Sequence, residues 1–328
     1  MPAPPPAAPR AARAAAAAAL LLGPLLLLPL LFGSADPYEY WELADDLIAS
    51  ARDWRTPDPP RQAPLPPLPP SPSRAAVLIE TKAAAKLPAV VANAAAVLPP
   101  DWRLQLFLSE AARALAAGAP ELAPLLASGR AFFSPLPEGY AAVDGWWDYQ
   151  TLLLSRQLWR AVAGEHVLLF QLDTAMCAAS PHKIGDYLSY DYVGAPWTRE
   201  RWGDAPGGNG GLSLRRRSRM LAALDALAPG GPQQGGGGGP QEGAAGPPWA
   251  MSALDAPRAV GNEDQTFSVL LAAMGAHLPT RDVARTFAVE TVFYGAPFGV
   301  HKFWAYMTAE QSERLFEFCP EARVAAAP

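Results

Sequence analysis

Apolar and polar positions alternate between strand-like and helix-like spacing over most of the chain after residue 74. Residues 75–81 (AAVLIET) form an apolar run of strand length that ends in polar residues, and residues 87–98 follow with helix-like apolar spacing. Residues 102–108 (WRLQLFL) supply a second strand. Strand, helix, strand is the opening of a doubly wound α/β sheet, in which ligands sit beyond the carboxyl ends of the strands. Glu80, Thr81 and Lys82 fall at such an end; the alternative is an ordinary turn carrying a solvated lysine. Residues 149–162 (YQTLLLSRQLWRAV) have one apolar helical face and lead into 165–173 (EHVLLFQLD), a buried-strand pattern closing on a carboxylate, Asp173. Glu263 and Asp264 open a further helix at 265–271, where the macrodipole favours acidic side chains.

The first seventy residues read differently. Arg10 and Arg13 precede an uncharged stretch, residues 14–32, about long enough to cross a hydrocarbon core. Pro24 and Pro29 would kink such a span, while Gly33-Ser34-Ala35 resembles a cleavage site, so a signal-anchor and a cleaved signal both stay open, with a plastid-type transit peptide as a third option. The anchor is preferred because the apolar run exceeds the usual length of a signal core. Residues 38–54 have helical apolar spacing, and 56–72 (TPDPPRQAPLPPLPPSP) form a proline-dense stem that runs extended. Residues 229–248, rich in glycine and proline, cannot bury apolar surface and read as a disordered surface insertion. The organisation expected is a tail and anchor or signal over 1–35, a short helix and stem over 36–73, one folded domain over 74–320 and a tail over 321–328.

Charge narrows the partners. Lys and Arg number 26 against 31 Asp and Glu in 328 residues, and no basic stripe is present, which argues against nucleic acid. The two cysteines, Cys177 and Cys319, exclude a four-thiolate zinc site. They are expected as two small buried thiols, with pairing open if the domain is lumenal.

Six segments in one order carry a family resemblance: AVLIETK (76–82), LLFQLDTAMC (168–177), YDYVGAPW (190–197), GNGGLSLR (208–215), NEDQTFS (262–268) and GVHKFW (299–304). Together they resemble a "domain of unknown function" family of glycosyltransferase-like proteins related to GT-A enzymes. The resemblance implies a single GT-A-like (nucleotide-diphospho-sugar transferase) domain, α/β, with a mixed, mostly parallel sheet flanked by helices.

It also implies roles. The triplet Gln171-Leu172-Asp173 stands where GT-A enzymes carry D-x-D, so Asp173 would hold a divalent cation and Gln171 would contact ribose or phosphate without adding charge. His301 resembles the C-terminal histidine brought to the same cation, and imidazole suits Mn2+ better than Mg2+. Lys302 would meet a phosphate as a point charge. Asn262-Glu263-Asp264 resembles the x-E-D motif, with Asp264 as base for an inverting transfer and Glu263 as its orienting neighbour. Gly210 and Gly211 resemble the glycine-rich loop near the donor sugar, here expected as a turn entering a strand; a purely structural turn is the alternative. Thr81 joins the donor contacts, and Trp197 is the candidate to stack on an acceptor sugar, although such rings more often belong to a core. Arg215, Arg216, Arg217 and Arg219 read as a solvated basic face with no catalytic role.

The expected function is therefore metal-assisted, inverting transfer from a nucleotide-sugar donor to a glycan or glycoconjugate, by a single-pass type II protein of the Golgi or endoplasmic reticulum, or by a secreted one. The rival is a lumenal carbohydrate-binding or scaffold protein on a degenerate transferase domain, motivated by the missing first acid of D-x-D. A phosphate-handling hydrolase is a weaker third, since no nucleophile elbow or HxxEH-type motif is present.

Overall fold

The computed structural model describes residues 74–140, 143, 145–198, 207–227 and 262–327. The chain divides into two units, Met1–Arg61 and Gln62–Pro328, and every described residue belongs to the second. The apolar span at 14–32, the helix at 38–54, the proline stem at 56–72 and the insertion at 229–248 lie outside the described residues. Among those described, no helix is long and apolar enough to cross a membrane.

In chain order the elements are β1 (Arg74–Glu80), α1 (Leu87–Val97), β2 (Trp102–Leu108), α2 (Glu110–Gly118), α3 (Ala123–Ala127), β3 (Ala131–Ser134), α4 (Trp146–Leu153), α5 (Arg156–Ala161), β4 (His166–Phe170) and β5 (Thr174–Met176). They continue with β6 (Tyr192–Ala195), β7 (Asn209–Arg216), α6 (Arg217–Leu227), α7 (Glu263–Ala273), α8 (Arg281–Phe287), β8 (Ala288–Val289), β9 (Gly299–His301), α9 (Ala309–Phe318) and α10 (Ala322–Ala326).

Six strands form one mixed sheet in the order β3-β2-β1-β4-β7-β6, parallel from β3 through β4, with β7 antiparallel to both of its neighbours. The mixed, mostly parallel sheet with helices on both faces is the α/β arrangement expected. Its central strands are continuous apolar runs because each face is covered. Ala76, Leu78, Leu104, Leu106, Leu168 and Phe170 pack on one side against α1, α2 and α8. Ala75, Val77, Ile79, Val167 and Leu169 pack on the other against α4 to α7. Gln105, buried in β2, is fully used: its amide nitrogen donates to Ser134 Oγ at 2.9 Å and to Ala161 O at 2.8 Å, and its oxygen accepts from Ala163 N at 2.7 Å.

A second sheet, β5-β9-β8, stands beyond the carboxyl end of β4 and encloses a third apolar cluster with Leu315 of α9 and Ala322 and Ala325 of α10.

Four expectations are corrected. The single helix over 149–162 is two helices: Ser155 accepts Gln157 N at 3.1 Å as the cap of α5, and the Trp159 indole donates to Leu153 O at 2.7 Å across the break. The strand over 165–173 stops at Phe170, because the chain turns there to enter the second sheet. Gly210 and Gly211 sit inside β7 rather than in a turn before it. Cys177 and Cys319 are not free thiols but a disulfide, with Cα atoms 4.9 Å apart, joining the end of β5 to the end of α9.

Candidate active site

A cleft of about 350 Å³ opens beyond the carboxyl ends of β1 and β4, lined in part by Thr81, Lys82, Lys86, Tyr149, Gln171 and Asp173. Three of the expected donor residues thus share one cavity. Thr81 follows β1 directly, and its hydroxyl donates to Val143 O at 3.1 Å, which leaves its oxygen free to accept. Gln171 and Asp173 stand in the turn between β4 and β5.

His301 is brought against Asp173 by strand pairing, although neither it nor Lys302 is among the residues lining the cleft. β5 runs antiparallel to β9 with Thr174 opposite His301, and Lys302 N donates to Asp173 O at 3.0 Å. This ladder sets His301 Nε2 at 3.3 Å from Asp173 Oδ1. On the other side of the ring, Glu290 Oε1 stands 3.2 Å from His301 Nδ1, without the alignment of a full hydrogen bond. Glu290 is 4 % exposed and His301 6 %, whereas the Asp173 side chain is 30 % exposed and faces the cleft. Burial alone would lower the imidazole pKa, but contact with the Asp173 and Glu290 carboxylates outweighs it and raises His301 to about 10. Burial would raise Asp173, and the His301 contact outweighs that in turn, holding Asp173 below its ordinary value.

The pair fits a divalent cation. Two ligands about 2.1 Å from one ion lie about 3.0 Å apart at right angles and about 3.4 Å apart at the tetrahedral angle. The observed 3.3 Å falls in that interval. Among the described residues no group of three or more His, Cys, Asp or Glu side chains could hold a metal, so Asp173 and His301 would be the protein's share of any such site.

Gly210 and Gly211 have a steric reason. A Cβ on Gly211 would overlap the His301 ring, and one on Gly210 would overlap the Glu263 carboxylate and the Arg215 guanidinium. On the Cβ side of these glycines the space is filled by the protein's own side chains.

Glu263 and Asp264 open α7 one layer away. Glu263 makes a bidentate pair with Arg215, at 2.7 and 2.9 Å, and Arg215 is fully buried against Trp159, Tyr192 and Phe267. The solvated basic face expected for residues 215–219 is therefore wrong for Arg215, which lies within β7, a strand buried on both faces. Arg216 and Arg219 also pair, each 3.3 Å from Asp191. Burial followed by the Glu263 charge raises Asp264 to about 7, against the lowering effect of the Gly210 amide. Its Oδ2 accepts Gly210 N at 2.9 Å and its Oδ1 accepts Gln265 N at 2.8 Å. Asp264 is 6 % exposed and is not among the residues lining the cleft.

Lys302 is exposed beside His301, in the left-handed region at φ 44°. Trp197 is half-buried after β6 and does not line the cleft. Glu290, Tyr149 and Lys86 also stand here, with no local signal in the sequence that marks them. Tyr149 lies in a stretch recognised as helical, and its cleft position depends on where α4 starts. Lys86 lines the cleft while its Nζ donates to Ala325 O at 2.9 Å and Ala327 O at 2.7 Å, a link between distant segments that no local pattern encodes.

Two solved structures resemble this chain. One is the apo-form glycosyltransferase GlyE of Streptococcus pneumoniae TIGR4, at 10% identity and TM-score 0.42, covering 78% of this chain and 65% of that one. The other is the mannosyltransferase PcManGT of Pyrobaculum calidifontis, in complex with GDP-Man and Mn2+, at 18% identity and TM-score 0.36, covering 81% of this chain and 64% of that one. The chain thus spans slightly less than two thirds of either. No curated protein matches. A family model described as "Protein of unknown function (DUF5672)" matches residues 133–301, from β3 to the histidine that meets Asp173. That match covers more than half of the 328 residues, and the chain belongs to the DUF5672 family.

Proposed function

We propose that the chain is a glycosyltransferase that moves a sugar from a nucleotide-sugar donor to a hydroxyl of a glycan or glycoconjugate, assisted by a divalent cation, with inversion. The observation that supports this most directly is the meeting of Asp173 and His301, distant in sequence, beside the cleft that Thr81 and Gln171 also line.

In this reading Asp173 and His301 hold the cation, Mn2+ in preference to Mg2+, and the cation when bound neutralises charge on the departing diphosphate. Thr81 accepts from a ribose hydroxyl, its own proton being committed to Val143 O. Gln171 donates to ribose or phosphate, and Lys302 adds a positive charge nearby. Asp264 takes the proton of the acceptor hydroxyl as its oxygen attacks the anomeric carbon and the bond to the diphosphate breaks. A carboxylate raised to about 7 suits that task near neutral pH, and two amide contacts leave it lone pairs to spare. Glu263 fixes the start of α7 through Arg215. Trp197 is the candidate to stack on the acceptor.

One observation favours the rival, a non-catalytic carbohydrate-binding or scaffold protein: Asp264 is buried away from the cleft lining. Calorimetric titration of the protein with a panel of nucleotide sugars, with and without Mn2+, separates the two. Mn2+-dependent heat with turnover, and turnover lost in Asp264→Asn while donor binding persists, supports the transferase. Absence of any nucleotide-dependent heat favours the scaffold, and retained turnover in Asp264→Asn removes Asp264 as base.

The setting proposed is the lumen of the Golgi or endoplasmic reticulum, with residues 14–32 as a single-pass type II anchor; secretion is the alternative. The Cys177–Cys319 disulfide supports an oxidising compartment. A chain tagged at its C-terminus should resist protease in sealed microsomes and become sensitive on adding detergent; sensitivity without detergent would refute this topology.

A further inference from the structure

Glu290 is a buried acid for which the proposed transfer has so far found no use. It follows β8 directly, and β8 runs parallel to β9 with Ala288 opposite Gly299 and Val289 opposite Val300, so the next step of the ladder sets Glu290 beside His301. Thr291 Oγ1 donates to Pro196 O at 3.3 Å and helps fix this segment. The outcome is a line of three groups: Glu290 at Nδ1, the imidazole, and Asp173 at Nε2. The backbone of Gly211 lies against the ring, close enough that a Cβ there would overlap it.

A neutral imidazole carries one N–H and one lone pair. Carboxylates flank both nitrogens, so the choice between them comes from the cation: with one held between Asp173 and Nε2 the lone pair is used there, the N–H is left at Nδ1, and Glu290 stands 3.2 Å away to face it. Metal-bound histidines are commonly oriented in this way by an outer carboxylate. We propose that Glu290 is a positioning residue that holds the His301 ring with Nε2 directed at Asp173, and thereby sets the affinity of the pair for a divalent cation. This rests on the reading of Asp173 and His301 as cation ligands.

Glu290→Leu removes the acceptor with little change of volume, and Glu290→Gln keeps an accepting oxygen while removing the charge. Binding of Mn2+ to the full-length protein is followed through the electron paramagnetic resonance signal of free Mn2+, with the ¹⁴N modulation of bound Mn2+ reporting the imidazole and thermal melting reporting the fold. The expected result is an affinity about 10- to 100-fold weaker in Glu290→Leu, with weaker ¹⁴N modulation at equal occupancy, and an affinity between that and the wild type in Glu290→Gln. Wild-type Mn2+ affinity in either folded variant overturns the role of Glu290 and leaves the cation site standing. Lack of Mn2+ binding, or of ¹⁴N modulation, in the wild type overturns the cation site and this role together. Should Glu290→Leu not fold, Glu290→Gln decides alone, a weakening of about tenfold being expected.

Discussion

At the scale of single residues, the site depends on side chains that are acceptable only because a neighbour is absent. Gly211 is the clearest case: adding one methyl would push the His301 ring off its line between Asp173 and Glu290. Gly211→Ala should lower Mn2+ affinity at least about tenfold, an effect of the size outer-shell changes produce. Overpacking should also cost about 1–3 kcal/mol of stability, read from urea unfolding. Asp264 makes a prediction with a sign. Burial raises its pKa from 3.8 to about 7, so its contribution to stability is complete below pH 3.8 and is lost as pH rises through 7. The stability of the wild type relative to Asp264→Asn should therefore fall between pH 5 and pH 8, by up to about 1.4 kcal/mol for each unit over which the group titrates. Urea midpoints of both proteins at the two pH values check this, and a constant difference would show that the carboxylate is not held up by burial. Thr81 and Asp173 were legible because each closes an apolar run, and the end of a buried strand is where an α/β sheet presents ligands, whereas Gln171 enters only through the resemblance of its triplet to D-x-D. Glu290 was not, since it follows a strand of two residues, too short to show any period.

At the scale of elements, β7 carries more than its pattern suggested. It carries Gly211 against His301 and Arg215 to Glu263, so one strand supports both the Asp173–His301 pair and the start of α7. Four arginines within five residues look like a wet surface, and nothing local marks the first as buried; the acid that neutralises it lies 48 positions away. The break between α4 and α5 was equally hidden, because the apolar face runs through Ser155 without interruption and only the cap on Gln157 N shows the stop. Removing one partner of a buried ion pair strands the other charge, so Arg215→Met should cost about 3–5 kcal/mol. Arg215→Met combined with Glu263→Leu should recover most of that cost, because both charges are then gone. Chemical denaturation of the single and double variants tests it, and a double variant no more stable than the single one would show that packing around the guanidinium, against Trp159, Tyr192 and Phe267, matters more than its charge.

At the scale of the whole described unit, the second sheet explains how distant segments meet at Asp173. β5 comes from the middle of the chain, β8 and β9 from near its end, and the ladder between them sets Asp173, His301 and Glu290 side by side. Sequence motifs could list two of these three residues, but strand pairing between remote segments is decided by tertiary packing, which no local period reveals. The Cys177–Cys319 bond closes a separation of 142 residues and ties the end of β5 to α9, reinforcing the connection the ladder makes. Loop-closure entropy for so long a span places the loss in Cys177→Ala with Cys319→Ala at about 2–5 kcal/mol. The strand pairing of Thr174 with His301 does not depend on the sulfurs, so the variant should retain Mn2+ binding at low temperature while unfolding at a lower urea concentration. If Mn2+ affinity collapses while the fold remains intact, the disulfide is part of what aligns Asp173 with His301, and the ladder alone is too weak to hold them.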